Sequence, residues 1–133
     1  MCIEGKTAII TGSTSGIGLG IARSLAKQGA NIVLNSFTNL ESDYDLVENL
    51  AKEFSVKVSY ACADMRNPQE CRDLITSQSA CDILVNNAGI QYVAPIEDFP
   101  TSKWDEIIAV NLTSSFHTTA TALKVMRINN WGR

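Results

Sequence analysis

A glycine-containing segment near the start of the chain constrains the fold more than any other feature. Residues 11–18, TGSTSGIG, lie between the apolar run Thr7–Ile10 and a stretch with helical spacing that begins near Gly16. A buried strand that turns through glycines into a helix can hold phosphate, because its backbone approaches closely and the helix N-terminus offers unpaired N–H groups. The spacing G-x-x-x-G-x-G differs from the G-x-G-x-x-G dinucleotide motif. The segment alone therefore fits a dinucleotide site or an ordinary strand–loop–helix junction.

The rest of the chain repeats the same strand-then-helix pattern. Strands are predicted at residues 6–10, 31–35, 56–63 and 82–86. Helices are predicted at residues 17–28, after a cap at Ser42 or Asp43, from a first turn at Pro68, and from a cap at Thr101 or Ser102 to about Met126. This alternation predicts an α/β fold, a Rossmann-type doubly wound parallel sheet that is incomplete, with about four strands in the order 3-2-1-4.

Four residues that could contact a ligand fall at the ends of the predicted strands. They are Gly12, Asn35, Asp64 and Asn87. Because the carboxyl ends of parallel strands meet at one edge of the sheet, and ligands bind at that edge, we expect these residues to lie along one rim. Their convergence favours a dinucleotide site.

Composition and charge exclude several classes of function. A chain of 133 residues has room for one domain, and its net charge of −3 predicts neither a nucleic-acid partner nor an anionic membrane surface. No apolar run approaches the roughly 20 residues that span a bilayer. The first residues, MCIEGK, lack the apolar core of a secretory signal. We therefore expect a cytoplasmic protein.

The cysteines and the single histidine do not form a metal-binding pattern. The four cysteines, none of them in a C-x-x-C arrangement, are Cys2, Cys62, Cys71 and Cys81. Without a nearby histidine they predict thiols of a reducing compartment and no metal site. His117 could act as an acid or base. Its place about two helical turns beyond Asn111, away from the strand ends, favours a packing role.

Three motifs in order carry a resemblance to a known family. They are residues 11–18 after strand one, residues 86–89 (NNAG) after strand four, and Asn111-Leu112 in the following helix. Together they resemble the short-chain dehydrogenase/reductase family over essentially the whole chain. Residues 83–91 and 96–101 are most similar to members that act on small 3-hydroxy acids. The resemblance implies hydride transfer between NAD and a small-molecule substrate such as D-3-hydroxybutyrate, and a homotetramer for full-length members.

The resemblance also implies roles for individual residues. Pyrophosphate and nearby ribose would be held by Gly12, Ser13, Ser15, Gly16, Ile17 and Gly18. The adenosine end would lie beside Phe37, Asp64 and Met65, with the Asp64 carboxylate accepting from the adenine amino group. The ribose side would follow Asn87, Ala88 and Gly89. Asn86 would brace the sheet.

Two further residues would belong to the substrate side. Gln91 would bind the substrate carboxylate, although without the resemblance it is read as a surface amide. Asn111 would be the helix asparagine of the catalytic group, which kinks its helix and holds a water in the proton relay. The alternative for Asn111 is a mid-helix asparagine with a solvated side chain.

The choice of NAD depends on the absence of positive charge. An acid after strand two would bind the ribose diol of NAD, and an arginine would accommodate the 2′-phosphate of NADP. This chain has Asn35, Ser36 and Phe37 there, and no Lys or Arg in residues 12–18. We therefore expect NAD.

The catalytic Ser and Tyr-x-x-x-Lys of the family have no counterpart in these residues. Glu, Asp and Ile stand four residues after Tyr44, Tyr60 and Tyr92. We interpret residues 1–133 as an NAD-binding Rossmann domain that stops before that machinery and is inactive alone. The alternatives are a nucleotide-binding or pairing module without turnover, and a reductase of 3-oxoacyl or sugar substrates. Strand four should be an apolar edge strand, and the last helix should expose Trp104 and Phe116.

Overall fold

The computed structural model of the chain describes residues 2–133. A parallel sheet of four strands forms its centre, in the order β3-β2-β1-β4. The strands are β1 Thr7–Ile10, β2 Asn31–Ser36, β3 Val58–Cys62 and β4 Ile83–Val85. In register, Ile9 of β1 lies beside Val33 of β2 and Leu84 of β4. The order confirms the Rossmann-type topology predicted from the alternation of strands and helices.

Helices cover both faces of this sheet. They are α1 Gly16–Lys27, α2 Glu41–Phe54, α3 Pro68–Thr76, α4 Thr101–Ile108 and α5 Ser114–Ile128, with a π-helical turn Ala109–Thr113 between the last two and a short 3₁₀ turn at Ile96–Asp98. None of the helices in residues 2–133 is long and apolar enough to cross a membrane.

The core divides by the period-two alternation of the strands. Ile10 and Leu34 are fully buried in a cluster that includes α1 and α2 residues, whereas Ile9 and Val33 belong to a cluster with α3 and α5 residues. Alternate side chains of one strand point to opposite faces, so each central strand contributes to both clusters. Full burial of one such aliphatic side chain stabilises the fold by about 1.5–3 kcal/mol.

The start of α2 differs from its prediction. The helix begins at Glu41, so neither Ser42 nor Asp43 is its cap residue. Asp43 instead caps from inside the first turn, because its Oδ2 accepts the Leu40 N–H at 3.0 Å and the Thr38 hydroxyl at 3.0 Å. The polar character of Asp43 suggested a cap residue, but Asp43 lies three positions after the actual cap residue, Leu40.

The start of α3 follows the prediction, with Pro68 in its first turn. Asn67 precedes it, and its Oδ1 accepts the N–H groups of Gln69 at 2.9 Å and Glu70 at 3.3 Å. The proline cannot donate an N–H, which costs nothing where helix N–H groups lack intrahelical partners.

The last predicted helix consists of two helices separated by the π-helical turn, and it continues beyond Met126 to Ile128. The first of them begins at Thr101, and neither Thr101 nor Ser102 caps it; Pro100 precedes it. As expected, apolar residues of this region are exposed, Trp104 by 54% and Phe116 by 68%.

The outer edge of β4 is partly paired. The Leu84 N–H donates to the Arg133 carbonyl at 2.9 Å, and the Arg133 N–H donates to the Asp82 carbonyl at 3.0 Å. The expectation of an open apolar edge is therefore wrong for the first part of this strand, because the backbone of the last residue lies alongside it.

Candidate functional site

A cavity of about 440 Å³ opens at the carboxyl ends of the strands. Residues at or just after the carboxyl ends of all four strands contribute to it. Its lining comprises Gly12, Thr14, Ser15, Ile17 and Gly18 after β1, residues 35–37 at the end of β2, residues 63–66 after β3, residues 87–90 after β4, and Glu106 and Val110. The topology predicted a ligand site at the carboxyl ends of the strands, and the cavity lies there.

The segment after β1 has an anchored half and a free half. The N–H groups of Gly12 and Ser13 donate to Asn35, to its Oδ1 at 3.1 Å and its carbonyl at 2.8 Å. Across the described chain, by contrast, the N–H groups of residues 14–18 have no acceptor. Five unpaired donors at the start of α1 form an anion-binding arrangement, which the helix dipole reinforces.

Ser13 has a different place from the one expected. It is fully buried and does not line the cavity. Its hydroxyl donates to the Ile10 carbonyl at 2.7 Å and accepts the Asn35 N–H at 2.9 Å. Ser13 therefore fastens β1 to β2 below the loop. Gly16, also expected at the site, is outside the lining, but its N–H is among the unpaired donors.

Two glycines allow the loops after β1 and β4 to touch. Gly12 has φ +61°, and a Cβ there would lie 2.9 Å from the Ala88 Cα. A Cβ on Gly18 would collide with the Gly12 carbonyl oxygen and lie 2.5 Å from Nδ2 of Asn87. A side chain at either position would separate the loops.

Polar bonds join the same two loops. Nδ2 of Asn87 donates to the Thr11 carbonyl at 3.0 Å and the Gly12 carbonyl at 2.9 Å. In return, the Thr11 hydroxyl accepts the N–H groups of Asn87 and Ala88, each at 3.0 Å. Thr11 was not among the predicted site residues. Its position directly after β1 is the only sequence signal for its role.

The residues expected at adenosine occupy one end of the cavity. Phe37 is 68% exposed at its mouth, whereas Met65 is buried. The Asp64 carboxylate accepts from Arg66, with Nε at 2.9 and 3.0 Å and Nη2 at 2.6 Å. These hydrogen bonds hold the pKa of Asp64 below its ordinary value. The carboxylate expected to meet adenine is thus already paired with Arg66.

Arg66 reaches a second carboxylate that the sequence did not identify. Its Nη1 is 3.0 Å from Oε1 of Glu106, which comes from α4, and Nζ of Lys103 is 2.9 Å from the other oxygen of Glu106. Lys103 first, and then Arg66, lower the pKa of Glu106. Arg66 and Glu106 line the cavity but lie 40 positions apart in the chain, so no local pattern connects them.

The two substrate-side candidates lie outside the cavity lining. Asn111 is in the π-helical turn, and its side-chain amide exchanges two hydrogen bonds with the backbone of Ile90, at 2.8 and 2.9 Å. It is therefore not the freely solvated asparagine of the alternative interpretation. Gln91, the next residue along the loop, is exposed.

The remaining candidate residues contact other parts of the protein or lie outside the cavity lining. Asn86 braces the sheet against α5, since its Oδ1 accepts the Thr118 hydroxyl at 2.6 Å. His117 has its Nδ1 3.0 Å from Nη1 of Arg72 and does not line the cavity. Cys71 and Cys81 are buried, and Cys2 and Cys62 are exposed. Within residues 2–133 there is no group of three or more His, Cys, Asp or Glu side chains suited to a metal ion.

Comparisons with known proteins agree with this architecture. D-beta-hydroxybutyrate dehydrogenase of Cupriavidus necator is 53% identical over 135 residues, which cover 98% of this chain and 52% of that enzyme. The enzyme of the same name from Rhizobium meliloti is 52% identical over 132 residues, covering 96% of this chain and 51% of its own length. The chain spans about half the length of the curated relatives it matches.

A solved structure has the same fold. L-sorbose reductase of Gluconobacter frateurii, in complex with NADPH and L-sorbose, superimposes with a TM-score of 0.88 at 32% identity, over 96% of this chain and 49% of that one. The model of the family described as short chain dehydrogenase matches residues 6–133. With its strand order, its cavity and its three motifs, the chain belongs to the short-chain dehydrogenase family.

Proposed function

We propose that this chain is the cofactor-binding part of an NAD-dependent dehydrogenase that interconverts D-3-hydroxybutyrate and acetoacetate. The observation that carries the proposal is the set of unpaired N–H groups of residues 14–18 beside the cavity. The identity of more than half of the aligned residues with two D-beta-hydroxybutyrate dehydrogenases supports the substrate class.

The residues fit a dinucleotide. Unpaired N–H groups at the start of α1 would bind the pyrophosphate oxygens, and Gly12 and Gly18 let the backbone come close. Phe37 and Met65 would lie against adenosine, and the segment Asn87, Ala88 and Gly89 would follow the ribose. When bound, NAD supplies the hydride acceptor.

The substrate would lie beyond the β4 segment. Gln91 presents an exposed amide that can donate to a carboxylate, the group common to D-3-hydroxybutyrate and acetoacetate. Asn111 would hold the segment before Gln91 in place through Ile90. Removal of the alcohol proton needs a base, and the chain has no Tyr-x-x-x-Lys to provide one. We therefore expect no turnover from these 133 residues alone.

The preference for NAD is part of the proposal. No Lys or Arg lies in residues 12–18 or 35–37 to neutralise a 2′-phosphate. The structurally similar L-sorbose reductase was solved with NADPH, so the two dinucleotides should be compared directly.

Calorimetric titration with NAD tests the proposal. Ser15→Asp places a carboxylate at the N-cap of α1, where Asp is favourable for the helix but repels pyrophosphate. Ser24→Asp is the matched control, with the same added charge on an exposed position of the same helix. We expect Ser15→Asp to weaken NAD binding about tenfold or more, and Ser24→Asp to change it less than about twofold. The proposed function would be contradicted if both variants bound NAD equally well, or if the unmodified chain did not bind NAD.

A binding module without turnover is the second candidate, favoured by the absence of Tyr-x-x-x-Lys. Immunodetection of the protein in the source cells distinguishes the binding module from the dehydrogenase. A single 14.4 kDa species would favour the module. A species about twice as long, with D-3-hydroxybutyrate-dependent NADH formation after purification, would favour the dehydrogenase. Turnover of a 3-oxoacyl thioester or a sugar instead would favour a reductase of that class.

A further inference from the structure

The segment that joins β2 to α2, residues 37–40, begins with Phe37 at the mouth of the cavity. The Phe37 ring is largely exposed there, where the proposed function places the adenosine. The Phe37 backbone makes no hydrogen bond within residues 2–133. The position of Phe37 therefore depends on how its two neighbours, Ser36 and Thr38, are held.

Tyr60 of β3 contacts the backbone on both sides of Phe37. Its hydroxyl donates to the Thr38 carbonyl and lies 3.3 Å from the Ser36 carbonyl. Burial raises the pKa of Tyr60 above its ordinary value, so the hydroxyl keeps its proton and remains a donor at neutral pH. The ring of Tyr60 is held in turn by an edge-to-face contact with Tyr44 of α2, with 5.6 Å between the ring centroids.

A buried carboxylate of α2 anchors the same segment. Oδ2 of Asp43 accepts the Thr38 hydroxyl and the Leu40 N–H, both at 3.0 Å. Thr38 is thus held at its carbonyl by β3 and at its hydroxyl by α2. Because Thr38 directly follows Phe37, two elements of the fold fix the backbone that carries the exposed ring.

We propose that Tyr60 is a positioning residue for dinucleotide binding, which fixes the segment after β2 so that Phe37 packs against the adenosine. The inference rests on the proposed dinucleotide-binding function and extends it to a residue outside the cavity lining. A mobile segment would have to be ordered when the ligand binds, and that ordering lowers affinity. Tyr60 orders the segment during folding, before the ligand arrives.

Calorimetry with NAD and a double-mutant cycle test this inference. Tyr60→Phe removes the hydroxyl but keeps the ring, and Phe37→Ala removes the ring that would contact the adenosine. The cycle compares the unmodified chain, the two single variants and the double variant. Tyr92→Phe is the matched control, because the Tyr92 hydroxyl makes no hydrogen bond in residues 2–133 and the residue lies outside the cavity lining. Thermal unfolding verifies that each variant is folded.

We expect Tyr60→Phe to weaken NAD binding about fivefold and Phe37→Ala to weaken it about tenfold. Tyr92→Phe should change it less than about twofold. Since Tyr60 acts through Phe37, the double variant should bind NAD as Phe37→Ala does, within about twofold. If the two losses instead multiply to about fiftyfold, Tyr60 does not act through Phe37 and the inference is overturned.

Hydrogen exchange without ligand provides an independent measurement. Tyr60→Phe should accelerate exchange of the Thr38 and Leu40 amide hydrogens, whereas Tyr92→Phe should leave it unchanged. Unchanged exchange or unchanged NAD affinity in Tyr60→Phe would overturn this inference alone, because the unmodified chain would still bind NAD. If the unmodified chain does not bind NAD, both the inference and the proposed function are wrong.

Discussion

Asn111 and Ile90 exchange two hydrogen bonds across the edge of the cavity. Asn111 Oδ1 accepts the Ile90 N–H at 2.8 Å, and Asn111 Nδ2 donates to the Ile90 carbonyl at 2.9 Å. Asn111 belongs to the π-helical turn Ala109–Thr113, and Ile90 to the segment after β4. One side chain therefore fixes the loop that precedes Gln91.

Replacing Asn111 by alanine should release this loop. Both backbone groups of Ile90 are exposed to water once the amide is lost, so we expect the free energy of unfolding to fall by only about 1 kcal/mol. Exchange of the Ile90 amide hydrogen should accelerate strongly. Asn129→Ala is the control, because Asn129 makes no side-chain hydrogen bond in residues 2–133. Unchanged exchange at Ile90 would contradict the prediction.

Replacing Thr11 by valine should be much more costly. The change keeps the shape of the side chain but removes the oxygen that accepts the N–H groups of Asn87 and Ala88. Two part-buried donors are then left without an acceptor, and we expect a loss of about 2–4 kcal/mol in urea unfolding. Thr11→Ser keeps the hydroxyl and should lose about 1 kcal/mol or less. Similar losses for both variants would show that the hydroxyl is unimportant.

A pair of glycine substitutions in α1 should have opposite effects. A Cβ at Gly18 meets the Gly12 carbonyl and Asn87, so Gly18→Ala should destabilise the chain by about 1–3 kcal/mol. A Cβ at Gly20 meets nothing within 4 Å, and Gly20→Ala should raise helix stability by about 0.5–1 kcal/mol. Thermal unfolding of both variants provides the measurement. A stable Gly18→Ala variant would mean that the two loops can separate freely.

Arg66 should also govern the response to acid. Its hydrogen bonds lower the pKa of Asp64 below the ordinary value of 3.8. A depressed folded-state pKa gives stability that is complete above the unfolded value and is lost as pH falls through the folded one. In Arg66→Gln the pKa of Asp64 should rise towards its ordinary value. The loss of stability between about pH 5 and pH 2 should then be shallower.

Urea unfolding at several pH values measures this slope. Arg127→Gln is the control, because it makes the same charge change on an exposed side chain with no ion pair in the described residues. If both variants follow the unmodified chain below pH 5, Arg66 does not stabilise ionised Asp64 in solution. The size of the effect will be limited by solvent, since the Asp64 side chain is 28% exposed.

Much of the fold was predictable because its determinants are local or periodic. The apolar run Thr7–Ile10 and the glycines of residues 11–18 specify a strand, a turn and a helix in succession, and the structure has all three. The order β3-β2-β1-β4 was expected because alternating strands and helices with this pattern form a Rossmann-type doubly wound sheet. Ten of the predicted cofactor-site residues line the cavity, because strand ends converge on one rim.

The boundaries and some roles were not predictable in the same way. Ser13 looks like a loop hydroxyl in sequence, yet its contacts with Ile10 and Asn35 bury it. The cap of α2 was misassigned because Asp43 can serve that helix from its third position. The roles of Ser13 and Asp43 depend on which hydrogen-bond partner lies nearest after folding. Residue type alone does not predict that partner.

The sequence by itself determined the alternating elements, the glycine-containing turn after β1 and the family, since these depend on spacing along the chain. Only the tertiary structure brought Arg66 to Glu106, Thr11 to Asn87, and Asn111 to Ile90. The members of each pair come from different elements, 21 to 76 positions apart. Their meeting depends on how the helices and loops pack over the sheet, and that packing is set by the whole core.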